Sequence, residues 1–322
     1  MALSRARAVF ESRGVLLVIA AVVAAAALFF YQRRPSAVSS RPVAETPAAT
    51  RPCAASPSAD MPGAGERWVA PSSAIPFRFI PPGCYPRELG MIRMVGGRGK
   101  FPFCRQDTIT RGFWMAETET SQSDWLVVMA DNPSYHKGCL DCPVESISWL
   151  DAVRFANTLS RREGLLPCYR LDGAHVEFAG LDCPGFRLPT HSEWKYAFRG
   201  AEGRRFPWGD EEVTAGRANY GGTHDATTPV RFYPDDRTPL DVYGLAANVS
   251  EWVNDWSEMG LGPKEDQVDP MGPPSGELRQ WVGTDFLQQP IYVEMAGGGA
   301  MLPDMSQPNV GVRLVRTWQG PE

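Results

Sequence analysis

CPGFRLPTHSEWKYAFRG, residues 183–200, and YGLAANVSEWVNDW, residues 243–256, are the two stretches on which the reading of this chain turns. In the first, Thr190 and Glu193 stand three residues apart and form a capping box. The hydroxyl accepts from the backbone N–H at Glu193, and the carboxylate returns to the N–H of the cap. Trp194, Ala197 and Phe198 then fall on one helical face, and Gly200 supplies the stop. The same start signal occurs at Ser148 to Asp151. It is followed by Ala152, Phe155, Ala156 and Leu159 at helical spacing, and by Gly164. A weaker start at Ser121 to Asp124 precedes Trp125, Val128 and Met129. Short strands are expected at 77–80, 112–115 and 310–315. With 31 glycines and 29 prolines in 322 residues, turns dominate, and the fold class reads as α+β and loop-rich.

Towards the N-terminus the pattern changes. Residues 14–31 read GVLLVIAAVVAAAALFFY, 18 residues without a charge, enough to cross a bilayer core at about 1.5 Å per residue. Arg5, Arg7 and Arg13 precede the run, and Arg33 and Arg34 follow it. This balance leans to an N-in orientation. Residues 1–13 read as a cytoplasmic tail and 14–32 as a transmembrane anchor. The alternative is a signal segment cleaved near Ala24 to Ala27. Either way the main domain is expected outside the cytoplasm, periplasmic or at the cell surface, or secreted if the segment is cleaved. Residues 33–66, rich in Pro, Ala and Ser, form a linker that cannot bury a core. Residues 67–322 form one domain. The net charge of −5 argues against a nucleic-acid partner.

Seven cysteines fit an oxidising compartment. Cys53, in the linker, is the odd one out. The other six fall into three neighbouring pairs, proposed as Cys84–Cys104, Cys139–Cys142 and Cys168–Cys183, although spacing alone does not fix the connectivity. GCLDC at 138–142 is also half of a zinc motif, but no second half completes it.

Further stretches extend the two opening segments into a series. They are MAETETSQSDW (115–125), NPSY (132–135), CPVESISWLDAVRFANTLSRREGL (142–165), CYRL (168–171), FPWGD (206–210), ANYGG (218–222), GGGAM (297–301) and NVGVRLVR (309–316). In this order they resemble the formylglycine-generating enzyme, or sulfatase-modifying factor, family. The resemblance covers about 77–316 and implies a C-type-lectin-like fold. Family members often carry extra cysteines where the proposed pairs lie.

The resemblance also implies a chemistry to look for. Active members place a cysteine pair after a Gly-Gly-Ser segment, and its soft thiolates bind copper. Together with oxygen, the copper converts a substrate cysteine to formylglycine. Here Gly298, Gly299, Ala300 and Met301 occupy that segment, and no cysteine follows Cys183. The stretch to NVGVR is also short. Copper is therefore not expected, and no catalytic residue can be assigned. Met301 and Met305 are soft donors in the same place but read as packing residues. A second branch of the fold uses iron held by histidines, but His136, His175, His191 and His224 are scattered, and His191 reads as a helix-surface residue. Glu251, Glu294, Asp304 and Arg313 form no acid–base constellation.

Calcium is the cofactor the resemblance favours, held by loop oxygens. Asn219, the Tyr220 carbonyl and Asp225 match one family site. The Ala247 and Val249 carbonyls with Glu251 match another, although Gly244 replaces an Asn or Asp side chain there. The sequon at Asn248 falls in a segment expected to be packed and reads as coincidence. The tryptophans read as core rather than as a sugar platform. Three functions compete: a non-catalytic module binding an envelope protein, peptide or glycan; an active or altered family enzyme; and a structural envelope protein.

Overall fold

The computed structural model describes residues 59–87, 105–173, 175–257 and 265–321. The tail at 1–13, the apolar segment at 14–32, most of the linker, Cys53 and Cys104 lie outside the described residues. Among those described, no helix is long and apolar enough to cross a membrane.

A five-stranded antiparallel sheet runs in the order β1 (Arg67–Val69), β2 (Pro76–Ile80), β5 (Phe113–Ala116), β14 (Val315–Thr317), β8 (Phe186–Arg187). A second sheet has the order β12 (Gly298–Met301), β11 (Arg279–Val282), β9 (Ser250–Trp256), β13 (Val310–Val312), with β9 and β13 parallel. The strands β10 (Gln267–Val268), β4 (Arg105–Ile109) and β3 (Gly83–Arg87) make a third. A hairpin joins β6 (Tyr169–Asp172) to β7 (His175–Phe178).

The helices are α1 (Gln122–Met129), α2 (Trp149–Arg162), α3 (His191–Arg199) and α4 (Pro290–Met295). The expected capping boxes close the first three, at Ser121/Asp124, Ser148/Asp151 and Thr190/Glu193. Gly164, φ +72°, follows α2, and Gly200, φ +63°, caps α3. Helix α2 buries Ala152, Val153, Phe155, Ala156 and Leu159, and Phe155 stacks on Trp125 with ring centres 4.8 Å apart. The central tryptophans are core, as expected. Trp125, Trp149, Trp194 and Trp252 are buried. The Trp149 and Trp252 ring N–H groups donate to the Val253 and Ile147 carbonyls, so their polar ends cost little to bury.

The strand expected over 310–315 is two strands in different sheets. Residues 310–312 pair with β9, whereas 315–317 pair with β5 and β8. The change of sheet falls at Arg313 and Leu314. The Arg313 side chain is buried and held by Glu251 on β9, which turns the chain inward at that residue.

Two of the proposed disulfides are present, Cys139–Cys142 and Cys168–Cys183. The first ends the half-zinc reading. Cys84 is also disulfide-bonded.

Candidate functional site

The Gly298–Met301 segment, where the resemblance leads one to look for the family's thiols, is built into the second sheet. Gly298 faces Val282 and Gly299 faces Trp281 across the β11–β12 ladder. A Cβ on Gly298 would stand 2.5 Å from the Trp281 carbonyl oxygen, and one on Gly299 would stand 2.3 Å from its ring. Both positions therefore need glycine for close packing. Ala300 is half-buried, Met301 is buried and Met305 is exposed, so the two sulfurs do not share one environment. Beyond Met301 the chain returns over the start of α2. The Pro303 carbonyl accepts from Leu150 N–H, and the Gln307 carbonyl accepts from Ser146 N–H. One of the helix's unpaired N-terminal donors is satisfied in this way. Cys84, Cys139, Cys142, Cys168 and Cys183 are all disulfide-bonded, so no free thiol exists among the described residues.

The most charged interior region lies elsewhere, where β5, β9, β13 and the 219–248 loops meet. Arg313 is buried at its centre. Its Nε and Nη2 donate to Glu251, at 3.1 and 2.7 Å, and its remaining donors reach the Ala116 and Tyr243 carbonyls. Trp194 Nε1 also donates to Glu251, at 2.6 Å. Two more buried carboxylates, Glu119 and Asp236, stand beside this pair. The nearest Arg313 nitrogen is 3.9 Å from Glu119, beyond hydrogen-bond reach.

Burial pushes the Glu119 carboxyl up to about 7. Arg313 opposes that shift and Glu251 adds to it. Burial and the neighbouring Glu119 push Asp236 well above the usual carboxylate range. Asn248, with φ +75°, ties the region together. Its Nδ2 donates to Glu119 Oε1 and the Thr228 carbonyl, and its Oδ1 accepts from Thr228 N–H. This buried, fully engaged side chain agrees with reading the sequon as coincidence.

The sequence profile of the sulfatase-modifying factor enzyme 1-like domain matches residues 86–318. The chain belongs to that family. It is 35% identical over 188 residues to a formylglycine-generating enzyme of Streptomyces coelicolor, covering 53% of this chain and 51% of that one. It is 29% identical over 177 residues to the chaperone protein LppX of Paenibacillus barcinonensis, covering 45% and 62%. The chain thus spans about half to three-fifths of the length of these curated relatives. Among solved structures, the variable protein 1 of Treponema denticola superposes with a TM-score of 0.65 at 23% identity, covering 78% of this chain and 98% of that one. At that identity the likeness concerns the fold alone.

Within this sulfatase-modifying factor domain, the calcium positions expected from the family differ in what they offer. At Glu251, Arg313 supplies the positive charge a cation would bring, and both carboxylate oxygens already accept hydrogen bonds. Ala247 and Val249 are buried beside it. Gly244 has no side chain because there is no room for one. A Cβ there would stand 2.2 Å from Glu119 Oε2.

At the other position, the Tyr220 carbonyl accepts from both the N–H and the hydroxyl of Thr223, and Asp225 is exposed. Asn219 differs from both. Its Nδ2 donates to the Ala226 carbonyl and to Asn248 Oδ1, which fixes the amide orientation, while its buried Oδ1 has no partner. No cluster of three His, Cys, Asp or Glu side chains with metal-binding geometry occurs among the described residues. His191 is not a surface residue. It is half-buried, with Nδ1 2.7 Å from Gln280 Oε1.

Sequence reading missed Glu119 and Asp236. Each lies in an ordinary polar string, ETET and PDDRT, and only the fold brings them together.

Proposed function

We propose that this chain is a membrane-anchored, extracytoplasmic module of the sulfatase-modifying factor family that binds a partner and does not make formylglycine. The observation that carries this reading is the Gly298–Met301 segment. Copper chemistry in this family needs two thiolates there, and the chain has no cysteine after Cys183. None of the described cysteines is free to substitute. The 18-residue apolar run at 14–31 and the disulfides support placement outside the cytoplasm.

In place of thiols, the surrounding stretch displays apolar side chains. Leu287, Ile291, Tyr292, Leu302 and Met305 are all exposed. Such residues suit a protein, peptide or glycan contact better than redox chemistry. The relative named as a chaperone supports a binding role, since it is 29% identical to this chain over 177 residues.

The test uses the full chain, purified in detergent, with copper, oxygen and a reductant. A Cys-x-Pro-x-Arg peptide is added and weighed by mass spectrometry. We expect an unchanged peptide mass while circular dichroism shows the protein folded. Loss of the thiol with gain of an aldehyde would replace the binding reading with an active oxidase.

A further inference from the structure

The bridge between Cys139 and Cys142 is built differently from the one between Cys168 and Cys183. The latter two cysteines are 0% and 5% exposed, belong to the main hydrophobic core and lie 15 positions apart. Cys139 is half-buried, Cys142 is 2% exposed, and their sequence separation is 3. A bridge that closes so short a loop takes little freedom from the unfolded chain and adds the least stability. A disulfide with one accessible sulfur is also the kind that exchanges with thiols from outside.

The loop does not depend on this bond for its shape. The Leu140 and Cys142 carbonyls accept from Ser123 N–H and Gln122 N–H at the start of α1, at 2.9 and 2.8 Å. The Asp141 carbonyl accepts from Val230 N–H at 2.8 Å, and Val144 N–H donates to the Thr120 carbonyl at 2.9 Å. These backbone hydrogen bonds hold residues 140–144 from outside the bridge, so opening it leaves the backbone in place. Reduction also adds a contact. The Thr227 carbonyl oxygen is 3.6 Å from the Cys142 sulfur, an acceptor for a thiol S–H that the disulfide does not possess.

Access favours one of the two sulfurs. Gly138 and Leu140 flank Cys139 as exposed residues, and no described atom lies within 4 Å of where a Gly138 Cβ would stand. Leu140 is 55% exposed and offers an apolar contact beside the sulfur. We infer that Cys139–Cys142 is a transferable disulfide that oxidises a pair of cysteine thiols in another polypeptide.

A thiolate of that polypeptide attacks the Cys139 sulfur. The bond to Cys142 breaks, Cys142 leaves with the electron pair and takes up a proton, and a mixed disulfide joins the polypeptide to Cys139. The second thiolate of the polypeptide then attacks its own sulfur in that bond and releases Cys139, which is protonated in turn. The polypeptide loses two electrons and two protons and gains a disulfide. Cys139 and Cys142 take up both and become a dithiol. One round needs no metal and no further oxidant. The inference goes beyond the proposed binding role and is independent of it, since exchange can fail while a partner still binds, and the reverse.

The test uses the oxidised full chain in detergent, carrying Cys53→Ser so that no linker thiol takes part. It is mixed with a reduced synthetic peptide bearing a pair of cysteines, and the products are alkylated and mapped by mass spectrometry. One peptide disulfide should form for each Cys139–Cys142 pair that becomes alkylated, while Cys168 and Cys183 stay bonded. Given the oxidised peptide instead, Cys142→Ser should accumulate a mixed disulfide at Cys139 at least about tenfold faster than Cys139→Ser accumulates one at Cys142. A peptide left reduced beside folded protein would overturn the inference. So would equal opening of both bridges, or faster trapping at Cys142.

If either serine variant fails to fold, the intact pair decides the matter in a series of reduced-to-oxidised glutathione ratios. Cys139–Cys142 should open at a lower ratio than Cys168–Cys183. Opening of the two bridges together would refute the assignment.

Discussion

Asp255 carries an energetic role that its place in the VNDW run does not advertise. Its Oδ2 accepts from the N–H of His191 at the start of α3, at 2.8 Å, where a negative charge meets the positive end of the helix. Yet burial pushes its carboxyl up to about 7, a shift opposed by the His191 N–H and added to by Glu193. A raised carboxyl favours the folded state most when protonated. That contribution is complete below the ordinary value near 3.8 and is lost as pH rises through about 7. Asp255→Asn keeps an acceptor for the helix N–H and cannot ionise. The difference in melting temperature between variant and parent should therefore grow in the variant's favour from pH 4 to pH 8. A constant difference across that range would show that Asp255 does not titrate there. The His191 imidazole, lowered to about 4 mainly by burial, is common to both proteins and cancels in the comparison.

At the scale of elements, what was legible was whatever is local. The three capping boxes each occupy four consecutive residues, so Ser121, Ser148 and Thr190 announce their helices in the string itself. Ser148→Ala removes the acceptor for Asp151 N–H and should cost about 1 kcal/mol in urea denaturation. An unchanged midpoint would mean that the Pro303 carbonyl at Leu150 N–H already suffices as a cap. Helix α4 went unread. It has only six residues, a proline at its first turn and no side-chain cap, which leaves periodicity too little to act on. The 310–315 stretch misled for the opposite reason. Its apolar residues are broken only by Gly311 and Arg313, but its partners in two sheets lie far away in sequence.

Over the whole molecule, the meeting of Glu119 with Asp236 was illegible because the two are far apart along the chain. That no cysteine follows Cys183 was legible at once, since it is a fact about the string. Disulfides fall between these cases, because adjacency suggested the pairs and the structure shows the two whose cysteines are both described. Cys168–Cys183 closes a loop with a sequence separation of 15, against 3 for Cys139–Cys142. Replacing Cys168 and Cys183 together with alanine should cost about 3 kcal/mol of unfolding free energy. Replacing Cys139 and Cys142 should cost clearly less. Equal losses in denaturant titrations would mean that native packing, rather than the constraint on the unfolded chain, sets the contribution.

The change of sheet at Arg313 has a consequence in time. Residues 310–312 complete one sheet and 315–317 occupy the middle of the other, between β5 and β8. Before this stretch leaves the ribosome, β5 and β9 each lack a neighbour, and the Glu251 carboxylate has no guanidinium to meet. Both sheets therefore close in one late step, with β5 paired to a strand that follows it by about two hundred residues and β9 to one that follows it by about sixty. Such long-range closure is slow, and until it happens the open edges of β5 and β9 can pair with another chain.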